Sequence, residues 1–244
     1  MFSFLQSAAI LIVYYLFFLF ALPVAFRSLL SLHSELPRKF QHVAFACSIF
    51  VLLELFSTWI QALLSMGILF LVAFPFLLLM EKTSWYHRCM VDRCEQGGEM
   101  RRQLLYVLLS YCLLITVFWG FHSSRWHFII AASVMAWGLG DAAAALVGKF
   151  LGRYRIRHAL LSGAKTFEGS GAMFFWSGVG IFLTLWLYGE VPWTISLLAA
   201  GVTAPVCSFA ELISPQGTDT LTVPWSAAAV LTLLWTLLSL GGIV

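Results

Sequence analysis

Between His42 and Met80 the chain carries one charged side chain, Glu54, in a tract dominated by Leu, Phe, Ala, Ile and Val. As a single helix rising 1.5 Å per residue, those 39 residues would reach about 58 Å, nearly twice the ~30 Å hydrocarbon thickness of a bilayer. The tract therefore reads as two membrane spans joined by a tight turn near Ser57, Thr58 and Trp59, with Glu54 close to the headgroups. The rest of the chain agrees. Charged residues are 10% of the 244 and hydrophobic ones 61%, where a soluble domain carries about 25% charged residues. A water-facing surface cannot be drawn from that pool. The expected fold is an all-α, polytopic membrane bundle forming a single transmembrane domain over 1–244, with no room for a separate soluble domain.

Hydropathy places about eight spans. The first runs from Phe2 to Phe26, and the two halves of the 42–80 tract are the second and third. The fourth runs from Leu104 to Phe121, the fifth from Trp126 to Val147 and the sixth from Phe167 to Tyr188. The seventh is Trp193 to Ile213, and the eighth starts near Val223. Lysine and arginine favour the cytoplasmic side of a membrane. Eight spans put Arg27, Arg38 and Lys39 on one side, with the five basic residues of the 81–103 loop and the five from Lys149 to Lys165. Of the 14 basic residues only Arg125 falls opposite. The expected orientation is thus a cytosolic face holding the polar loops, with both termini on the other side. Trp59, Trp126 and Trp193 fall at span ends, as interfacial anchors do.

Neither the net charge of +3 nor the placement of the basic residues suggests a nucleic-acid partner. The first residues lack a basic n-region and a small-residue cleavage site, so they read as a span rather than a signal peptide. Cys47, Cys112 and Cys207 lie in apolar segments, where a buried thiol is the default. Cys89 and Cys94 share a loop with His87; two reduced thiols are the simpler reading than zinc, since no fourth ligand stands out.

Four polar clusters interrupt the apolar pattern, and the eight-span topology gathers all of them at the cytosolic face. Asp141 stands in an apolar run flanked by Gly138 and Gly140. A carboxylate there costs free energy to insert, so it reads either as a ligand in a polar cavity or as a group bonded to a neighbouring helix. Gly140, Ala144 and Gly148 recur every four residues, which by itself means close helix packing. The stretch Ser162 to Ser170 brings Lys165 and Thr166, suited to phosphate oxygens, and Glu168, suited to a metal, at the entry to a helix whose free N–H groups attract anions. It is not a Walker A loop, because the spacing differs. Glu211 closes the seventh span and Asp219 lies in the following loop. Arg38, Lys39 and His42 precede the second span; taken alone, the two cations are topology anchors and His42 a helix-start histidine.

This ordered set resembles the CTP-dependent polyprenol kinase family, which includes phytol, farnesol and dolichol kinases and a CTP-using diacylglycerol kinase. Arg38, Lys39 and His42 match its R-K-x-x-H. Gly140, Asp141, Ala144, Gly148 and Gly152 match a G-D-x-x-A-x-x-x-G-x-x-x-G stretch. Gly163, Lys165, Thr166, Glu168, Gly169 and Ser170 match G-x-K-[ST]-x-E-G-S. Glu211, Ser214, Gly217, Asp219, Val223 and Pro224 match the closing E-x-x-[ST]-x-x-G-x-D-N-x-x-[IV]-P, with Thr220 where the family usually has Asn. The matches, at 37–42, 138–170 and 211–224, cover most of the chain from Pro37 onward.

The resemblance implies a kinase that moves the γ-phosphate of CTP to a lipid alcohol, with Mg²⁺ or Mn²⁺ as cofactor and membrane lipids around it. It implies nothing about oligomeric state. Asp141, Lys165, Asp219 and His42 are its expected catalytic residues. Arg38, Lys39, Gly140, Gly163, Lys165, Thr166, Gly169 and Ser170 would bind nucleotide, and Asp141, Glu168, Glu211 and Asp219 would hold metal. The base that deprotonates the alcohol is a carboxylate or His42. A CDP-lipid synthase is the nearest alternative, since its family shares the Gly-Asp and Lys-Thr-x-Glu-Gly stretches, whereas the closing motif looks like the kinases. An intramembrane aspartyl protease fits Gly138, Gly140 and Asp141, but it needs a second intramembrane aspartate, and Asp92 and Asp219 both fall in loops. A transporter would suit an intramembrane carboxylate too, yet the chain has no visible inverted repeat.

Overall fold

The computed structural model describes residues 3–21, 25, 35–83, 98–156, 165–215 and 217–242. Among them are eight α-helices: α1 (Phe4–Tyr15), α2 (Glu35–Leu55), α3 (Trp59–Met80), α4 (Glu99–Leu114), α5 (His127–Phe150), α6 (Phe167–Leu183), α7 (Trp193–Ile213) and α8 (Asp219–Leu240). Three of them, α1, α4 and α6, continue as π-helical turns over Leu16–Ala21, Ile115–Gly120 and Thr184–Tyr188. Six helices, α3 to α8 with these extensions, are long and apolar enough to cross a membrane. The chain is an all-α membrane bundle. The two remaining helices correspond to the first two expected spans. Helix α1 is apolar but shorter. Helix α2 opens on Glu35, Arg38, Lys39 and His42.

The chain forms two compact units, Met1–Thr116 and Val117–Val244. In the first, hydroxyl groups bond across helices to main-chain carbonyls. Ser7 Oγ of α1 donates to Leu55 O and Tyr14 OH to Ala44 O, each over 2.6 Å, while Tyr111 OH of α4 donates to Phe45 O over 2.7 Å. In hydrocarbon, where lipid tails are as apolar as leucine, such bonds and close packing take over from the hydrophobic effect in joining helices. Thr58 caps α3 by accepting from Gln61 N, so the expected break near Ser57–Trp59 is where α2 ends and α3 begins. An ion pair, Arg101 Nε to Glu81 at 2.7 Å, ties the end of α3 to the start of α4.

The second unit is a ring of four helices. Helix α5 packs on α6 and α8, α6 on α7, and α7 on α8. Neighbours run antiparallel: Gly180, late in α6, lies against Met135 early in α5, and Gly169, early in α6, lies against Ala144 and Gly148 late in α5. Phe128 at the start of α5 likewise meets Trp235 near the end of α8, with ring centroids 4.6 Å apart. Of the six long apolar helices α5 is the most enclosed: 72% of its most apolar stretch is buried, against 17% for α3. The four-residue glycine pattern is thus a packing seam. A Cβ on Gly180 would sit 2.9 Å from the main-chain oxygen of Met135, which cannot move without shifting α5. Gly180→Ala is therefore expected to destabilise the protein by about 1–3 kcal/mol, as overpacking does. Gly201→Ala, where a Cβ meets nothing within 4 Å, is the matched neutral substitution. Thermal unfolding of both variants in detergent checks this; equal midpoints would mean that the seam is not tightly packed.

Three boundaries differ from the expectation. Helix α4 starts at Glu99 and α2 at Glu35, each several residues earlier than hydropathy suggests, because helical geometry continues through polar residues past the apolar window. Asp219 belongs to the first turn of α8 rather than to a loop. There a carboxylate is favoured by the positive end of the helix dipole. The basic connector after α5 also contains a minimal antiparallel pairing of two strands, β1 (Arg155–Ile156) and β2 (Lys165–Thr166), with Arg155 opposite Thr166 and Ile156 opposite Lys165.

Candidate functional site

The ring brings four helix ends together: the C-terminal ends of α5 and α7 and the N-terminal ends of α6 and α8. Most of the expected site residues lie at that end. Lys165 is placed by the β1–β2 pairing and by the immediate start of α6. Thr166 caps that helix, its Oγ1 accepting from Gly169 N at 3.1 Å, while Phe167 N donates to Tyr154 O at 3.0 Å. The Lys165 ammonium crosses to the end of α7. It forms an ion pair with the Glu211 carboxylate and donates to the main-chain oxygen of the same residue at 2.9 Å. Glu211 is buried, while the Lys165 side chain keeps about a fifth of its surface open. Lys165 thereby serves one of the terminal carbonyls of α7, where a helix dipole favours a cation.

Glu168 occupies the first turn of α6 and accepts the Tyr154 main-chain N–H at 3.2 and 3.3 Å, which folds the connector back onto the helix start. Two residues further on, Ser170 Oγ is buried and makes no hydrogen bond among the described residues. The carbonyl of Ser170 accepts from Ser208 Oγ of α7 at 2.9 Å. Gly140 and Gly169 are seam residues: a Cβ on the first would strike Met173, and one on the second would press on Thr166 and Ala144. Gly163 lies outside the described residues.

The α7–α8 connector is held by its own hydroxyl groups. Ser214 and Thr222 bond each other through their side chains, Thr222 also donates to Thr218 O, and Thr218 Oγ1 donates to Pro215 O. Gly217 turns the chain at φ +86°, a conformation that side chains other than glycine resist. Asp219 follows, half-buried in the first turn of α8. Asp141 is half-buried in α5, nine residues before its end, or about 13 Å below it. The Phe128–Trp235 contact sets the register of α5 and α8. Thirteen residues from each side of that contact lead to Asp141 and Thr222, so Asp141 lies about one helical turn deeper than Asp219.

The first unit holds the remaining three expected residues on α2. Arg38 pairs with Glu35 at 2.8 Å, Lys39 is buried, and His42 Nδ1 meets Gln103 Nε2 of α4 at 3.2 Å. Glu35, Gln103, Tyr154 and Ser208 escaped the sequence reading. None carries a local signal, since each matters only for the group it meets in space.

Among the described residues, no three His, Cys, Asp or Glu side chains come together as a ready metal site; Cys89, Cys94 and His87 lie outside them. The carboxylates at the bundle end are hard oxygen donors, and magnesium needs only one or two of these, completing its shell with water and phosphate oxygens. The donor chemistry therefore fits that ion. No protein-family model matches the chain, and neither a curated protein nor a solved structure is significantly similar to it.

Proposed function

We propose that the chain is a membrane lipid-alcohol kinase, moving the γ-phosphoryl group of CTP to an isoprenoid alcohol of the phytol, farnesol or dolichol type, or to diacylglycerol. One observation carries the reading. Lys165 and the start of α6 stand with Glu168, Glu211 and Asp219 at one end of an otherwise apolar bundle, and Asp141 lies just below. A polyphosphate in water meets that end, while a long-chain alcohol keeps its tail among lipids and presents its hydroxyl at the same level. The four-motif resemblance supports the same reaction class. So does the buried Ser170 hydroxyl in the first turn of α6, which makes no hydrogen bond among the described residues.

In this reading the alcohol oxygen forms a bond to the γ-phosphorus. The bond from that phosphorus to the β–γ bridging oxygen breaks, and CDP leaves with the electron pair. The hydroxyl proton passes to a carboxylate. Phosphoryl transfer asks mainly for positioning and charge neutralisation. Lys165 holds phosphate oxygens, and Asp141 and Asp219 would hold the divalent ion, with Glu168 as a further oxygen donor. Magnesium or manganese, when bound, would neutralise phosphate charge.

The test uses the purified chain with CTP labelled either at the γ-phosphate or in the cytidine, and a panel of lipid alcohols and phosphatidate. Label from the γ-phosphate in the lipid is the expected result. Cytidine in the lipid would make the protein a CDP-lipid synthase instead. The orientation belongs to the same proposal. A cysteine placed at Gly97 or Ser162 is expected to react with an impermeant maleimide from the cytosol, and one at Ser123 only from the other side. Reaction of Gly97 and Ser123 variants from one side would remove the shared active face.

A further inference from the structure

The geometry points to Glu211 as an internal stand-in for phosphate: its carboxylate occupies the Lys165 ammonium until the polyphosphate of the donor displaces it. This rests on the kinase reading and adds to it a competition built into the same site. The resemblance casts Glu211 as a metal ligand. The structure instead joins it to the residue expected to bind phosphate, across the gap between the start of α6 and the end of α7. Two of the three ammonium donors are engaged by one residue, one on the carboxylate and one on its main-chain oxygen. Glu211 is buried, so little water competes for its carboxylate.

The two contacts differ in what they demand. The main-chain oxygen stays in place whatever the side chain, and it keeps Lys165 aimed at the bundle end. The carboxylate is the removable part, because it shares with a phosphate oxygen both its negative charge and its hydrogen-bond acceptance. A ligand whose binding-competent state is occupied only a fraction of the time binds more weakly by that fraction. If Lys165 is released from Glu211 about one-tenth of the time, the carboxylate weakens donor binding about tenfold. The arrangement also keeps a cation at the membrane surface neutralised when no nucleotide is present.

The experiment measures binding of CTP and of inorganic triphosphate to the full chain in nanodiscs by calorimetry, once with magnesium and once with excess chelator. Glu211→Gln keeps the size of the side chain and the main-chain contact but removes the competing charge. It is expected to bind both probes about tenfold more tightly than wild type in both conditions. Glu211→Asp keeps the charge on a shorter reach and is expected to fall between them, which covers a Gln variant that fails to fold. Weaker binding by Glu211→Gln with magnesium would make Glu211 a metal ligand and overturn the inference, as would unchanged affinity. If neither probe binds wild type or any variant, the kinase reading falls and this inference with it. Binding that ignores Glu211 removes the competition alone.

Discussion

Asp141→Asn is expected to leave a folded membrane protein that has lost at least about 10²–10³ of its phosphoryl transfer. The substitution is nearly isosteric, and it removes a charge that costs about 2.5–3.5 kcal/mol to insert at a helix centre. The protein should therefore still fold while activity falls, which is the opposite of what a merely structural carboxylate gives. Asp219→Asn should act in the same direction. The helix register puts the two about one turn apart in depth on packed neighbours, α5 and α8. If both serve one divalent ion, the double variant is little worse than either single one, as for residues that act as a unit. The polyphosphate of CTP is strongly anionic and these carboxylates would repel it without a cation. Activity should accordingly vanish in chelator and return with magnesium or manganese. Rates for the four forms in a double-mutant cycle, with unfolding midpoints alongside, check this. Multiplicative losses, or full activity in chelator, would remove the shared ion.

What hydropathy could reach, it reached closely. Helix α7 runs from Trp193 to Ile213, the limits expected from sequence, and the Thr58 cap lies at the expected break. Long uncharged tracts have few alternatives in a bilayer, because every main-chain polar group must be satisfied inside the segment. The reading failed where helix continues through polar residues. Ser214 to Thr222 looks like a loop because its hydroxyls, Pro215 and Gly217 favour turns, yet Asp219 already sits in α8. A span tolerates a proline such as Pro224 when neighbouring groups serve the freed carbonyl. The polar pairings were less legible still. Lys165 and Glu211 are 46 residues apart, and their contact depends on how α6 and α7 are rotated about their axes. Periodicity fixes that rotation for apolar faces but not for single charged groups. The glycines of the Asp141 motif divide similarly. Their spacing predicts packing, and the contacts at Gly140, Gly148, Gly169 and Gly180 are packing contacts.

Lys165→Met is expected to lower phosphoryl transfer by about 10² or more, the usual loss when one charge clamp on a reacting group is removed. Activity alone would not separate that from misfolding, because Lys165 also neutralises buried Glu211. Breaking a fully buried pair by removing one partner costs about 3–5 kcal/mol. The Lys165 side chain keeps 21% of its surface exposed, so solvent screening reduces this to roughly 1–3 kcal/mol. The single variant should thus be both slow and less stable. Lys165→Met with Glu211→Gln resolves the two effects. With no uncompensated charge left at the ends of α6 and α7, most of the lost stability returns, and an unfolding midpoint in detergent near that of wild type is the expected reading. Activity does not return, because a methionine offers phosphate no donor. A double variant that regains both stability and turnover would reduce Lys165 to half of a structural ion pair, and phosphate binding would then have to be sought elsewhere on the same bundle end.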